Sequence, residues 1–401
     1  VTEASVVHGG LTKEGALDFA SSFPRQEGLI PLNNAALTPL SRNAADVMTR
    51  TMAEMMRPDD AMRRRWVEGY EAAHVTFGEL LGCEPGEVTF MANVATAMSI
   101  LAHALGLAPG DEIVTVDQEY GSNAYPWNEA AARAGARVVR AASRDDRSVD
   151  TREVARLVGP RTRVVAVSWV QFQTGATLDL HHLSRVCLEH GALLVADATQ
   201  GVGVAPFSMA QSGVDVVAGS MHKWLGGPPG LAYLAVRQSR IESLRPQVVG
   251  PYSYGEVASG YEPKARLLAT AARLRSGTPP LIPILGAAAA ARAVLDCGVP
   301  SISARVLSLA EMLRLALVEQ GHRVLSPAAM TSPIVTFVPR QGPQAAAHAL
   351  AAHGITFALR GGGLRLSPHF FNTSDDVALV AEVLAGRHRP LADRNDSSYH
   401  Q

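Results

Sequence analysis

Between residues 85 and 237 the chain repeatedly offers short apolar runs rich in β-branched residues: EIVTVD (112–117), ARVVRA (136–141), RVVAVSWV (163–170), ALLVAD (192–197), VDVVAGS (214–220) and LAYLAV (231–236). They lack strict apolar–polar alternation, so they predict strands covered on both faces. The helical patterns between them are the crossovers that a parallel sheet needs. Ahead of this core, helical apolar spacing predicts helices over 40–56 and 61–81, the second stopped by Gly82.

After Arg237 come a polar helical stretch, a Gly/Pro loop over 276–283 and a long Ala/Leu-rich helix that leads into a second unit. Strands are expected there at 322–326, 332–338, 355–359 and 363–367, with helices over 343–352 and 375–385. The expectation is an α/β protein. It has a large domain (31–285) with a mostly parallel central sheet, a smaller C-terminal α/β domain (286–392), an N-terminal arm (1–30) packing on the small domain, and a flexible polar tail (393–401).

The 401 residues suit a two-domain enzyme, and 47% apolar with 18% charged residues excludes a disordered or fibrous chain. Lysine plus arginine (36) nearly cancels aspartate plus glutamate (37), leaving a net charge of −1. No bulk basic field exists to draw nucleic acid or anionic lipid, so small molecules are the expected partners. The run ending at Arg65 is followed by Glu68 and Glu71 at helical spacing and reads as a solvated helix face. Cys83, Cys187 and Cys297 are odd in number and widely spaced, which argues against a disulfide framework or a metal site and for a reducing cytoplasm. The first residues carry no signal pattern, and the most apolar stretch, 281–295, is interrupted by Pro283 and Arg292, so neither export nor a membrane span is expected.

In an open parallel sheet, ligands collect where the C-terminal ends of strands spill into loops. Two such ends carry chemistry: ALLVAD ends on Asp197, and VVAGS ends on Ser220 and runs into Met221-His222-Lys223 and then GGPPG. The chain between Asp197 and Lys223 suffices for one crossover, which places a carboxylate and an amine at the same sheet edge. Taken singly, the aspartate reads as a helix cap and the lysine as a solvated loop residue. Together they match pyridoxal phosphate (PLP), which needs an amine to carry it, an anion beside its pyridine nitrogen, a flat group against its ring and donors for its phosphate.

These residues resemble class V aminotransferases of PLP fold type I, a group that includes cysteine desulfurases, kynureninase and isopenicillin-N epimerase-like enzymes. The similarity runs from about Leu32 to Thr373. Ser220-x-His222-Lys223 resembles the family's Schiff-base motif, Asp197-Ala-x-Gln200 its pyridine-binding motif, and Leu364-Arg365-Leu-Ser-Pro-His369-Phe-Phe-Asn372-Thr373 its C-terminal substrate motif.

The resemblance makes Lys223 the cofactor-bearing lysine and later proton shuttle, Asp197 the partner of the pyridine nitrogen, and Gln200 a donor to the phenolic oxygen. Ser220 and His222 would help hold the phosphate. The segment 90–99 sits where the family has its phosphate loop, which nominates the amides of Ala95 and Thr96 and the Thr96 hydroxyl; it departs from the common Thr-Thr-Glu pattern, and a plain helix cap is the alternative. Tyr120 is the candidate to stack on the ring, or else an aromatic buried at a strand end, and Gln171 is placed near the phenolic oxygen or the substrate. Thr278, in Ser-Gly-Thr-Pro-Pro, resembles a phosphate ligand given to the neighbouring subunit, which implies a homodimer with composite active sites; a simple turn is the alternative.

Asn34 lies in a segment, Leu32 to Ala36, that resembles the one lining the family's substrate cleft. Arg365 would grip the substrate carboxylate, with a surface strand arginine as the alternative, and Arg360 would meet the substrate's distal end. The Gly361–Gly363 run lacks the Lys-Ser/Thr of a phosphate loop and reads as a flexible lead into the strand.

Desulfurases of the family need a mobile-loop cysteine, and none precedes Arg365 here, which argues against persulfide formation. The segments 120–127 and 367–373 look more like the epimerase-like and C–S lyase branch, often found in secondary metabolism. The leading expectation is β-elimination from an S-conjugated cysteine, releasing thiol and ammonia. Transamination is the rival. Epimerisation would need a second acid/base such as Tyr120 or Tyr125, and decarboxylation-coupled deamination or a non-catalytic PLP-fold binding or regulatory module are the remaining alternatives.

Overall fold

The computed structural model describes residues 19–144, 147–255 and 264–388; the first part of the expected arm and the expected tail lie outside them. Seven strands form the large sheet: β1 (Val88–Met91), β2 (Glu112–Val116), β3 (Arg137–Ala141), β4 (Thr162–Ser168), β5 (Leu193–Asp197), β6 (Val216–Ser220) and β7 (Ala232–Val236). Their order is β1-β7-β6-β5-β4-β2-β3, and the five from β2 to β6 pair in parallel. All six predicted apolar runs are strands. β2, β5, β6 and β7 are buried throughout, as expected for a sheet covered by helices on both faces.

Two features differ from a purely parallel core. β7 runs antiparallel to both β6 and β1. Only the loop from Met221 to Leu231 joins it to β6, and that loop contains no helix, so the chain turns back instead of crossing over. β1 was not among the predicted runs, because its four residues offer too short a pattern.

A second sheet, with order β10-β11-β9-β8 and antiparallel throughout, is built from β8 (Arg323–Val324), β9 (Val335–Val338), β10 (Ala358–Arg360) and β11 (Gly363–Leu366). Leu364, Leu366, Phe337 and Leu350 fill a core beneath it with Leu309, Leu313 and Val380. Helix Leu281–Cys297 instead lies against helices Arg42–Met55 and Asp60–Leu81 of the large unit. The chain then bends by 82° into helix Val299–Glu319. The expected boundary at 285/286 therefore runs through a helix seated on the large unit, and we place the division at Gly298, where φ is +84°. Among the described residues no single helix is long and apolar enough to cross a membrane, and the bent pair buries Ile284, Ala291, Val294 and Ile302 in the core.

The described part of the arm reaches both units. Ile30 bridges to Ile355 and, just beyond the arm, Asn33 bridges to Ser367, both on the small unit. Phe23 packs its ring 4.8 Å from Phe371 and 5.4 Å from His369. Gly226 leaves room for it, since a Cβ there would stand 2.5 Å from the Phe23 ring. Phe23 is 3% exposed, so Phe23→Ala leaves a cavity between the arm and the loop after Lys223. The expected cost is about 3–5 kcal/mol, read from urea unfolding; a loss below about 1 kcal/mol would show that the arm does not anchor this region.

Candidate active site

The strand ends of β4, β5 and β6 open into one cleft of about 220 Å³ that is partly open to solvent. Asp197 and Lys223 both line it, with Tyr120, Ser220, His222, Gln200, Arg360 and Arg365. The crossover predicted this meeting, because β5 and β6 pair in parallel with Asp197 opposite Ala218.

Asp197 is almost fully buried, which raises its pKa, while the Thr199 N–H donates to it at 2.9 Å and opposes the rise. The Thr199 hydroxyl also accepts the Ser220 N–H at 3.2 Å, tying the ends of β5 and β6 together. Burial lowers the Lys223 amine to about 8; Asp197 opposes this, and the cations of Arg365 and Arg360 push the same way as burial. Its Nζ lies 5.4 Å from the centroid of the Tyr120 ring, which is 43% exposed and packs edge-on against Phe172.

Arg365, at 2% exposure, sits in the middle of β11. Its Nη1 donates to the Phe172 carbonyl at 2.6 Å and its Nη2 to Asn33 Oδ1 at 3.4 Å, while Nε is buried with no hydrogen-bond partner among the described residues. No carboxylate there pairs with it, and burial lowers its pKa to about 10. A buried cation with an open donor is a ready seat for a ligand carboxylate.

Several expected residues sit differently. Asn34 does not line the cleft: its amide donates to the carbonyls of Pro31 and Ser367, both at 2.9 Å, so it pins the segment, and its neighbour Asn33 faces Arg365. The Thr96 N–H and hydroxyl are both taken by the Asn93 side chain, at 2.8 and 3.1 Å, which is the helix-cap alternative. The cleft wall is made by Ala92, Asn93 and Val94, not by Ala95 and Thr96. Gln171 also turns away, donating to the Ser168 carbonyl at 3.2 Å and toward Glu119 at 3.5 Å. Gln200 donates to the Ala35 carbonyl and accepts from Trp224 Nε1, both at 2.9 Å, keeping one amide hydrogen over. Thr278 is exposed and outside this cleft.

Sequence reasoning missed Thr199 and a network around Glu119. That carboxylate accepts the N–H and hydroxyl of Ser168, each at 2.6 Å, and the Asn123 amide at 3.0 Å. It also passed over the placement of His369, whose ring stacks on Phe371 and Trp224 and whose Nδ1 accepts the Phe370 N–H at 2.8 Å. The proton therefore sits on Nε2, which donates to the Trp224 carbonyl at 3.0 Å; burial holds its pKa at about 4, so the ring stays neutral and braces the turn after Lys223.

The residues present fit PLP. Ser220 Oγ and His222 Nδ1 are buried without partners among the described residues and line the cleft beside the start of helix Val94–Ala104, whose first amides have no intrahelical acceptor. Asp197 at the strand end, the Lys223 amine and the Tyr120 ring complete the set of groups the cofactor requires.

Fold and site together define a PLP-dependent enzyme of fold type I. The family model for class V aminotransferases matches residues 32–378, and the chain belongs to that family. A probable cysteine desulfurase from Aeropyrum pernix is 31% identical over 293 residues, covering 71% of each chain. The isopenicillin N epimerase of Amycolatopsis lactamdurans is 29% identical over 379 residues, covering 88% of this chain and 94% of its own. Among solved structures, the Escherichia coli cysteine desulfurase CsdA superposes with a TM-score of 0.83 at 23% identity, over 93% of this chain and 98% of that one. The cystine C–S lyase C-DES, bound to its product cysteine persulfide, gives 0.82 at 22% identity over 88% and 96%. PLP is the cofactor.

The lysines are Lys13, Lys223 and Lys264, so modification of one is easily resolved by peptide mapping. In cofactor-free protein the acylation rate of Lys223 should rise with pH about a midpoint near 8, because the amine is neutral above that value. Asp197→Asn removes the anion that favours the ammonium and should move the midpoint lower. A midpoint near the ordinary lysine value of 10.5 would contradict the buried placement.

Proposed function

We propose that this enzyme is a C–S lyase that releases thiol and ammonia from an S-conjugated cysteine by β-elimination. The observation that carries the reading is the pairing, in one cleft, of a lysine amine near 8 with an acid-free buried guanidinium, while none of the three cysteines lines that cleft. Cys187 and Cys297 are buried and Cys83 is half-buried, with burial holding their thiols at about 12, 11 and 12 respectively, so no thiolate is available to take sulfur. Tyr125, one candidate for the second acid/base of an epimerase, is 74% exposed and does not line the cleft.

When bound on Lys223, PLP supplies an electron sink for the pair left at Cα. Arg365 holds the α-carboxylate through Nε and fixes which Cα bond faces the lysine. With its amine free, Lys223 Nζ would take the Cα proton and, as the ammonium, would protonate the thiolate leaving Cβ. The released enamine adds one water to give a keto acid and ammonia. Asp197 would keep the pyridine nitrogen protonated, Tyr120 would cover the ring, and Ser220, His222 and the Val94 amide at the start of its helix would hold the phosphate. Thr278 of a second copy would complete the phosphate site, making the working form a homodimer.

Purified protein with PLP should show a visible absorption band that Lys223→Ala abolishes. With cysteine S-conjugates, thiol, ammonia and keto acid should appear in equal amounts. Keto acid that forms only with an amino acceptor would make the enzyme an aminotransferase; no band at all would remove the lysine from its role. Arg365→Lys keeps the charge and loses the planar fork, so KM should rise by about tenfold or more with a smaller change in kcat; an unchanged KM would refute the carboxylate clamp.

A further inference from the structure

The Gly361–Gly363 run has a role that its sequence alone does not suggest. Gly361 (φ +63°) and Gly362 (φ +80°) form the two-residue turn between β10 and β11, with left-handed φ at both positions. Such a turn fixes a tight antiparallel register, here Arg360 opposite Gly363 and Ala358 opposite Arg365. In that register the side chains of residues 358, 360, 363 and 365 share one face of the sheet. Arg360 and Arg365 are therefore diagonal neighbours, about 7–8 Å apart along the sheet, with Gly363 contributing no side chain between them.

Both arginines line the cleft that holds Lys223. Arg365 is deep and anchored, and Arg360 is at the exposed end, its Nη1 bonded to the Leu359 carbonyl. No ion pair joins either to a carboxylate among the described residues. Two cations on one face repel each other, and Arg360 contributes to the lowered pKa values of both Arg365 and Lys223. A ligand with two anions at matching separation relieves that repulsion, and one with a single carboxylate relieves part of it.

We infer that the β10–β11 hairpin is a two-anion subsite that selects amino acids whose side chain ends in a carboxylate, with the α-carboxylate on Arg365 and the distal carboxylate on Arg360. This deepens the lyase reading and rests on it for the placement of the α-carboxylate. In that setting the preferred leaving group is a thiol that itself carries a carboxylate.

The test titrates holoenzyme with matched acid and amide ligands: aspartate and asparagine, glutamate and glutamine, S-carboxymethylcysteine and S-carbamoylmethylcysteine. Binding is read from the change in the visible absorption band, which responds to occupancy whatever reaction follows. For at least one pair the acid should half-saturate at a concentration about tenfold lower than its amide, and added salt should shrink the ratio. Arg360→Gln should bring the ratio close to one, and Arg360→Lys should keep part of it. Equal binding of acid and amide in every pair, or an unchanged ratio in Arg360→Gln, overturns the subsite. Acid preference lost in Arg360→Gln but no thiol from either S-conjugate sinks the lyase reading and leaves the subsite standing. Thiol release without acid preference does the reverse, and a band that responds to no ligand counts against both.

Discussion

Burying a guanidinium without an acid beside it costs several kcal/mol, and the region around the cleft is arranged to hold Arg365 in that condition. β9 and β10 flank its strand on both sides, so the backbone cannot move to let the side chain reach water. Its strongest contact is the carbonyl of Phe172, in a loop of the other unit. The same loop is stitched to the small unit twice more, by the Thr336 hydroxyl on the Gln173 carbonyl and the Ser332 hydroxyl on the Gly175 carbonyl. A Cβ at Gly175 would stand 2.4 Å from Ser332 Oγ, so only glycine allows that approach. The seam between the two units is thus also a wall of the cleft that holds Lys223.

A second seam holds the lysine. Trp224 donates its indole N–H to Gln200, receives the His369 proton on its carbonyl, and lies stacked on that imidazole. Because His369 is pinned as the neutral Nε2–H tautomer by a backbone amide, this brace does not weaken when the pH falls through the ordinary histidine range. Phe23 of the arm then closes over Gly226, which follows two residues after Trp224. Strand ends from the large sheet, a histidine from the small unit and an aromatic from the arm converge on one turn, which fixes the base in a cleft that must still admit substrate.

How much of this the sequence disclosed follows from the range of each interaction. Uninterrupted β-branched runs mark strands locally, so the six runs were legible although β3, at the sheet edge, is mostly not buried, and the length of one crossover sufficed to bring Asp197 and Lys223 together. β1 and the reversed β7 were not legible, because four residues carry too little pattern and direction depends on what joins the strands. Adjacent residues of an extended segment face opposite ways, and only the pairing with Ser367 decides that Asn33, not Asn34, meets Arg365. Thr96 carries a suitable amide and hydroxyl, yet Asn93, three residues earlier, takes both. Glu119 could not be found from spacing at all: its donors, Ser168 and Asn123, come from two separate elements.

The charges of the cleft also set the order in which its parts become effective. Burial, with a smaller push from the two uncompensated guanidiniums, holds Lys223 near 8, so it is a poor proton store but a ready nucleophile, which favours loading of the cofactor. A carboxylate arriving on Arg365 cancels one of the cations that depress the amine. The ammonium form would then become easier to reach, so a free Lys223 amine would be a stronger base with an anion on Arg365 than with the cleft empty. Asp197 contributes to the same end from the opposite side, since its negative charge lies deep enough that solvent screens it little. On the proposed mechanism the cost of burying Arg365 would thereby be recovered at the step that needs it, through the field it exerts on Lys223 as well as through a grip on the ligand.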